Sequence, residues 1–172
     1  QHGAFAECLA LPARLLHRVP AGLTDIQAAF VEPTSIAVHA VRRAGITPDT
    51  TAVVVGAGMI GLLVIQALRW AGARQVIAVD LADDRLNLAR QLGASHALRS
   101  DRCDVPAEVA SLTDGLGAHV CIEAVGLAAT VNLSLQTLRS GGRAVLVGNV
   151  SPTTRDFPLQ RVVTRELTVV GT

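Results

Sequence analysis

The chain has 172 residues, 50% of them hydrophobic and only 17% charged, with a mean hydropathy of +0.43. This excludes intrinsic disorder and sets a length of one domain with a little left over; a net charge of +1 leaves no field that would select nucleic acid or an acidic membrane surface. There is no Tyr and no Lys, all 15 basic residues being Arg, so a Tyr–Lys proton relay, Schiff-base chemistry and a P-loop lysine are excluded as well.

In chain order, Ala4–Leu11 reads as a strand, Ala13–Val19 as mixed, and Pro20-Ala21-Gly22 as a turn. Asp25–Gly45 reads as two helical pieces broken at Glu32-Pro33, the first capped by Thr24. Thr51–Gly56 is a continuous apolar run, the pattern of a strand buried on both faces. Met59–Ala71 is helical, with Gly72 as a stop. Gln75–Asp80 is the second strand, Asp83–Leu92 an amphipathic helix ending at Gly93, and His96–Leu98 a short third strand. Pro106–Leu112 is a helix that starts near Asp104 or Val105. His119–Ala124 is the fourth strand. Ala128–Leu138 is a helix closed by Gly141-Gly142. Arg143–Val147 is the fifth strand, Leu159–Thr164 a helix, and Leu167–Val170 the sixth strand. Strands alternating with helices are βαβ units. Their right-handed crossovers predict an α/β fold with a doubly wound parallel six-stranded sheet in the order 3-2-1-4-5-6.

Cys8, Cys103 and Cys121 are far apart and form no CxxC, which argues against a disulfide framework; all three are expected to be reduced and at least partly buried. No apolar run reaches the ~18 residues of a membrane span. No signal peptide is visible, so a cytoplasmic protein with no membrane partner is expected. The chain opens on Gln1 rather than Met and is expected to be a piece of a longer protein.

The strongest motif is Gly56-Ala57-Gly58-Met59-Ile60-Gly61. A lone GxGxxG is weak, but this one follows a buried strand and opens a helix. Gly56 permits the tight turn, Gly58 lets a pyrophosphate approach the backbone, and Gly61 lets helix and strand pack closely. Met59 and Ile60 carry the helix N-terminus, whose free N–H groups and partial positive charge suit phosphate. Asp80 closes the second strand 24 positions after Gly56. An acid there accepts hydrogen bonds from adenosine ribose hydroxyls and repels a 2′-phosphate, which favours NAD over NADP. Asp80 could equally cap the next helix, and the two roles are compatible. Arg85 either packs on the adenine or is a solvated helix-face arginine. Two further turns lie at strand carboxyl ends, where such sheets bind ligands: Ala124-Val125-Gly126 and Val147-Gly148-Asn149. Their small residues allow a ribose and a nicotinamide to lie against the backbone. Glu123, an acid inside an apolar strand, needs a partner, either beside the cofactor or as a backbone brace.

On these residues the sequence resembles the cofactor half of a zinc-dependent medium-chain dehydrogenase of the polyol, sorbitol-like branch. The stretches that carry the resemblance are GAFAECLALPARLLHRVP (3–20), AAFVEPTSIAVHAVRRAG (28–45), VVVGAGMIGLL (53–63), VIAVDLADDRLNLARQLGA (76–94) and PLQRVVTRELTVVGT (158–172). The resemblance implies a Rossmann domain over 24–172 and, over 1–23, a short remnant of a GroES-like catalytic barrel. It implies NAD and, in the intact protein, Zn2+ as cofactors. It also implies a secondary alcohol, polyol or sugar alcohol as substrate, and a homo-oligomer, dimer or tetramer. In this branch the acid of the VEP motif, here Glu32, lies at the catalytic zinc as a ligand or holding its water. The family's other zinc ligands lie upstream of such a segment, so the piece by itself is expected to be inactive. His39, seven positions after Glu32, reads as a core or interface histidine. Two other classes fit the glycine motif: a non-catalytic NAD-sensing module, and a zinc-free medium-chain reductase. A sensor has no need of the first 45 residues, and Asp80 counts against a reductase that uses NADP.

Overall fold

The β-branched runs bury on both faces because helices cover both sides of the sheet they form. A computed structural model describes residues 5–153 and 156–172. The chain divides into two units, Gln1–Val31 and Glu32–Thr172. In the second, β1 (Thr51–Val55), β2 (Gln75–Asp80), β3 (His96–Arg99), β4 (Ala118–Glu123), β5 (Leu138–Leu146) and β6 (Thr168–Gly171) form one sheet in the order 3-2-1-4-5-6. Every pairing is parallel, with Val53 level with Ile77 on one side and Cys121 on the other. The fold is thus the predicted Rossmann-type α/β sheet.

The strand period of two sorts side chains into two layers. Ala52, Val54, Ala78 and Ile122 pack with α2 (Val31–Ala44), α3 (Met59–Trp70) and α4 (Asp83–Gln91). Val53, Val55, Val79 and Cys121 face the other way, with α5 (Val105–Ser111), α6 (Ala128–Gln136) and α7 (Leu159–Thr164). Ile65, Leu68, Ile77, Ile122, Leu135 and Leu138 are fully buried. Each contributes about 1.5–3 kcal/mol of transfer free energy. The chain winds from β1 out to β3, returns through β4, and continues to β6. The direction reverses between β1 and β4, so a crevice opens at their carboxyl ends.

Local chemistry sets most boundaries. Asp104 caps α5 by accepting the Ala107 N–H (3.1 Å), with Pro106 in the first turn, where its missing N–H costs nothing. In the first unit, a capping box starts α1 (Asp25–Ala29). The Thr24 hydroxyl accepts the Gln27 N–H, and the Gln27 amide oxygen accepts the Thr24 N–H at 2.9 Å.

Four expectations are corrected. Ala4 lies outside the described residues, and Phe5–Leu11 is not a strand. Isolated strands are unstable, and these exposed residues pair with no strand among the described residues; a single 3-10 turn follows at Ala13–Leu15. The helical break falls at Phe30, not at Glu32-Pro33. Pro33 is the third residue of α2, where no intrahelical donor is lost. The glycines 141 and 142 do not close a helix. They lie within β5, which begins at Leu138 and bulges before re-pairing at Arg143 with Val120. Cys8 is exposed rather than partly buried, whereas Cys121 is buried and Cys103 half-buried. Among the described residues, no helix is long and apolar enough to cross a membrane.

Candidate functional site

The glycine-rich turn stands between β1 and α3, at the crevice. Gly56 has φ +95, a conformation that only glycine adopts without strain. A Cβ there would also fall 2.6 Å from the Val125 side chain. A Cβ on Gly61 would collide with the Gly56 carbonyl oxygen. Gly58 is different. It caps α3 with an ordinary φ of −73, and a Cβ there would meet nothing within 4 Å. It leaves open space in front of a helix end that no side chain caps, so the N–H groups of the first turn remain available. Met59 is exposed and Ile60 half-buried.

Asp80 holds this turn in place. Its Oδ2 accepts the Ala57 N–H at 2.7 Å, and its Oδ1 accepts the N–H groups of Leu81 (2.8 Å) and Ala82 (3.0 Å). The carboxylate is only 8% exposed. Its cap reading is corrected: the residue that caps α4 is Ala82, and it makes no side-chain cap bond. Arg85 approaches Asp80 at 3.8 Å with its own side chain 57% exposed. Its guanidinium is thus largely in solvent, at the edge of the ion-pair range from the acid.

A cleft of about 510 Å3 runs along the carboxyl ends of β1, β2 and β4. Gly56, Asp80, Arg85 and Val125 line it, as the sequence reading placed them. So do Ser100, Leu127, Thr130, Asn132 and Leu133, which that reading missed. Their signal was positional: Ser100 follows a strand, and Leu127–Leu133 span the first turns of the helix after another. Ala124, Gly126, Val147, Gly148 and Asn149 do not line this cleft. They form the adjoining turns, where the Val147 and Gly148 N–H groups donate to the carbonyl of Glu123 at 2.8 and 3.1 Å. Glu123 is fully buried and braces backbone: its Oε1 accepts the N–H groups of Val125 (3.0 Å) and Gly126 (2.8 Å) and the Thr130 hydroxyl (2.7 Å). A second hollow of about 280 Å3 between α2 and α3, with Val38, Val41 and Trp70 in its wall, contains no acid, His or Cys.

The arrangement fits a dinucleotide. It offers an uncapped helix N-terminus beside an unfilled glycine, an acid beyond it, and a cleft walled by apolar side chains. It does not fit a metal. Glu32 is exposed in the first turn of α2, His39 is exposed rather than in the core, and among the described residues no three His, Cys, Asp or Glu converge as a metal site requires. Cys121 offers no thiolate either, since burial pushes its thiol up to about 12.

Comparison with known proteins follows the same line. Residues 60–172 match the zinc-binding dehydrogenase family. The chain is 36% identical over 162 residues to a sorbitol dehydrogenase of Bos taurus, covering 92% of this chain and 45% of that protein. It is 33% identical over 174 residues to an L-idonate 5-dehydrogenase of Vitis vinifera, covering 99% of this chain and 47% of that one. Among solved structures, an alcohol dehydrogenase of Escherichia coli CFT073 complexed with NADH superposes with a TM-score of 0.86 at 26% identity, over 94% of this chain and 48% of that one. A zinc-binding dehydrogenase of Sinorhizobium meliloti 1021 bound to NADP superposes with a TM-score of 0.81 at 32% identity, over 90% and 46%. The chain spans about half the length of the curated relatives it matches. With a family match over residues 60–172 on an all-parallel sheet whose glycine-rich turn faces the crevice, the chain belongs to the zinc-binding dehydrogenases.

Proposed function

We propose that this chain is the NAD-binding half of a medium-chain dehydrogenase that interconverts a secondary alcohol, of polyol or sugar-alcohol type, and its ketone. The observation that carries this reading is the pairing of an open helix N-terminus at Gly58 with a braced acid at Asp80. The pyrophosphate lies against Gly56–Gly61 and takes its hydrogen bonds from the N-terminal N–H groups of α3. Asp80 has three of its roughly four lone-pair sites filled by backbone donors. One site remains to accept from a ribose hydroxyl, and its charge repels a 2′-phosphate. Arg85 lies over the rim at the adenosine end, and Val125 wall-packs opposite. The turns at Ala124–Gly126 and Val147–Asn149 receive the second ribose and the nicotinamide. When bound, NAD supplies the hydride acceptor; the chain's own part is to bind it, orient it and exclude water.

The zinc of the intact protein takes ligands from outside the described residues, with Glu32 as this chain's one candidate contribution. Residues 1–23 belong with the catalytic barrel and 24–172 with the cofactor domain, and the intact protein is a homo-oligomer. Similarity to whole dehydrogenases over 99% of the chain supports this reading over a stand-alone nucleotide sensor, which would need the cofactor domain alone. Fluorescence titration with NADH and NADPH tests it. NADH binds more tightly, and Asp80→Ala weakens NADH and narrows the gap to NADPH by roughly 1–3 kcal/mol, the scale of hydrogen bonds to a charged group. Tighter NADPH binding by the unmodified chain would overturn the NAD assignment.

A further inference from the structure

Two turns meet beside the cleft, Ala124–Leu127 after β4 and Val147–Ser151 after β5, and one residue holds both. Glu123 closes β4 level with Val55 of β1 and Leu146 of β5, fully buried. Its backbone carbonyl takes two N–H donors from the turn after β5, at Val147 and Gly148. Its side-chain Oε1 takes two N–H donors from the turn after β4, at Val125 and Gly126. The Thr130 hydroxyl brings α6 to the same oxygen at 2.7 Å. The turns then lock against each other. Ser151 N–H donates to the Gly126 carbonyl at 2.8 Å, and a Cβ on Gly126 would fall 2.5 Å from the Asn149 nitrogen.

This is a costly way to build a strand end. A carboxylate out of water carries a large desolvation penalty, and Oε2 is buried with no hydrogen-bond partner to offset it. An apolar side chain would fill the space more cheaply but could not accept from Val125 and Gly126. What the acid adds is geometry. It fixes the turn that presents Val125 and Leu127 to the cleft, and through the Gly126 carbonyl that turn receives Ser151 N–H from the neighbouring turn that carries Gly148 and Asn149.

We propose that Glu123 is a positioning residue for the dinucleotide: without touching it, the side chain holds the turn after β4 against the turn after β5, so that the two together receive the second ribose and the nicotinamide. The proposal rests on the NAD reading above. Thr130 is its accessory, a donor that keeps Oε1 aimed at the turn. Glu123→Gln leaves a single amide oxygen for the same three donors and places an NH2 where Oε2 has no partner.

The chain and its Glu123→Gln, Thr130→Val and Leu68→Ala variants are titrated with NADH and melted in parallel. Leu68 is fully buried in the opposite layer, nine residues along α3 from its first residue Met59, so its truncation lowers stability and leaves both turns alone. Glu123→Gln weakens NADH about 10-fold or more, the loss expected of hydrogen bonds to a charged group, and Thr130→Val about threefold. Leu68→Ala stays within about twofold of the unmodified chain even where it melts as low as Glu123→Gln, because truncating a buried Leu costs stability without moving the turns. NADH binding by folded Glu123→Gln at the unmodified affinity overturns the proposal. So does a Leu68→Ala variant that loses as much, since stability alone would then explain the effect. Should Glu123→Gln not fold, Thr130→Val decides, and unchanged binding there overturns it. If the unmodified chain itself does not bind NADH, the NAD reading fails and takes this proposal with it.

Discussion

Gly58 and Gly61 belong to one turn and are glycine for opposite reasons. At Gly61 the protein itself forbids a side chain, because a Cβ would collide with the Gly56 carbonyl. At Gly58 nothing in the protein objects. Gly58→Val therefore folds, at a cost of about 1 kcal/mol as a poorer helix N-cap, and loses NADH binding because its side chain occupies the approach of the pyrophosphate. Normal NADH binding by Gly58→Val would place the phosphates elsewhere. Asp80 shows how much of this was readable in the sequence. Its position at the end of β2 suggested an acid for the cofactor, but not that two of its three backbone donors follow it directly while the third, at Ala57, comes from the glycine turn. Nothing in local sequence connects residues 23 positions apart through one carboxylate oxygen.

Neighbouring strands meet a titratable group at the end of the sheet away from the cleft. The His119 Nδ1 of β4 accepts the Thr51 N–H of β1 at 3.2 Å, which requires an unprotonated nitrogen. Burial lowers the His119 pKa, Arg139 and Arg74 lower it further, and Asp49 opposes them. The unfolded chain therefore binds this proton more readily than the folded one. The contribution to stability is fully present above the unfolded pKa of about 6.5 and is lost as pH falls through it toward the lower folded value. Urea unfolding at about pH 7.5 and 5.5 shows a drop that His119→Gln reduces by about 0.5 kcal/mol or less, a small figure because solvent screens the half-buried ring. An identical drop in the variant would remove the histidine from the account. At the same scale, β5 shows where reading by pattern stops. Its first residues contain Gly141-Gly142, which locally look like a terminator, yet Leu138 pairs with Ala118 of β4 and extends the strand through a bulge.

The two units of the chain differ in kind. Among the described residues of the first, through Val31, none is buried, and Leu9, Leu15, Leu16 and Val19 are each about half exposed or more, at 50, 52, 58 and 52%. The second unit holds the two-layer core and the cleft. Dialysed against zinc and analysed for metal, this chain carries well under one ion per molecule, and with NAD and sorbitol it shows no turnover above background, because about three protein ligands are needed and, among the described residues, Glu32 has no second ligand beside it. One zinc per chain, or turnover, would mean that these residues hold a complete site after all.

The sequence alone determined the sheet, its strand order and the location of the glycine turn. Parallel strands buried on both faces read as continuous apolar runs, and right-handed crossovers leave few ways to connect them. It also placed Asp80 and Val125 in the cleft, since a residue's distance past a strand end fixes which edge of the sheet it reaches. Only the tertiary structure decided that Phe5–Leu11 pairs with no strand among the described residues, that Ser100, Thr130 and Asn132 share the cleft, and that Glu123 accepts from two turns at once. Local pattern records which face a side chain takes and what it does to its own backbone. Which distant N–H reaches a strand end is set by register: Val147 and Gly148 donate to the Glu123 carbonyl because β5 lies paired beside β4, with Leu146 level with Glu123.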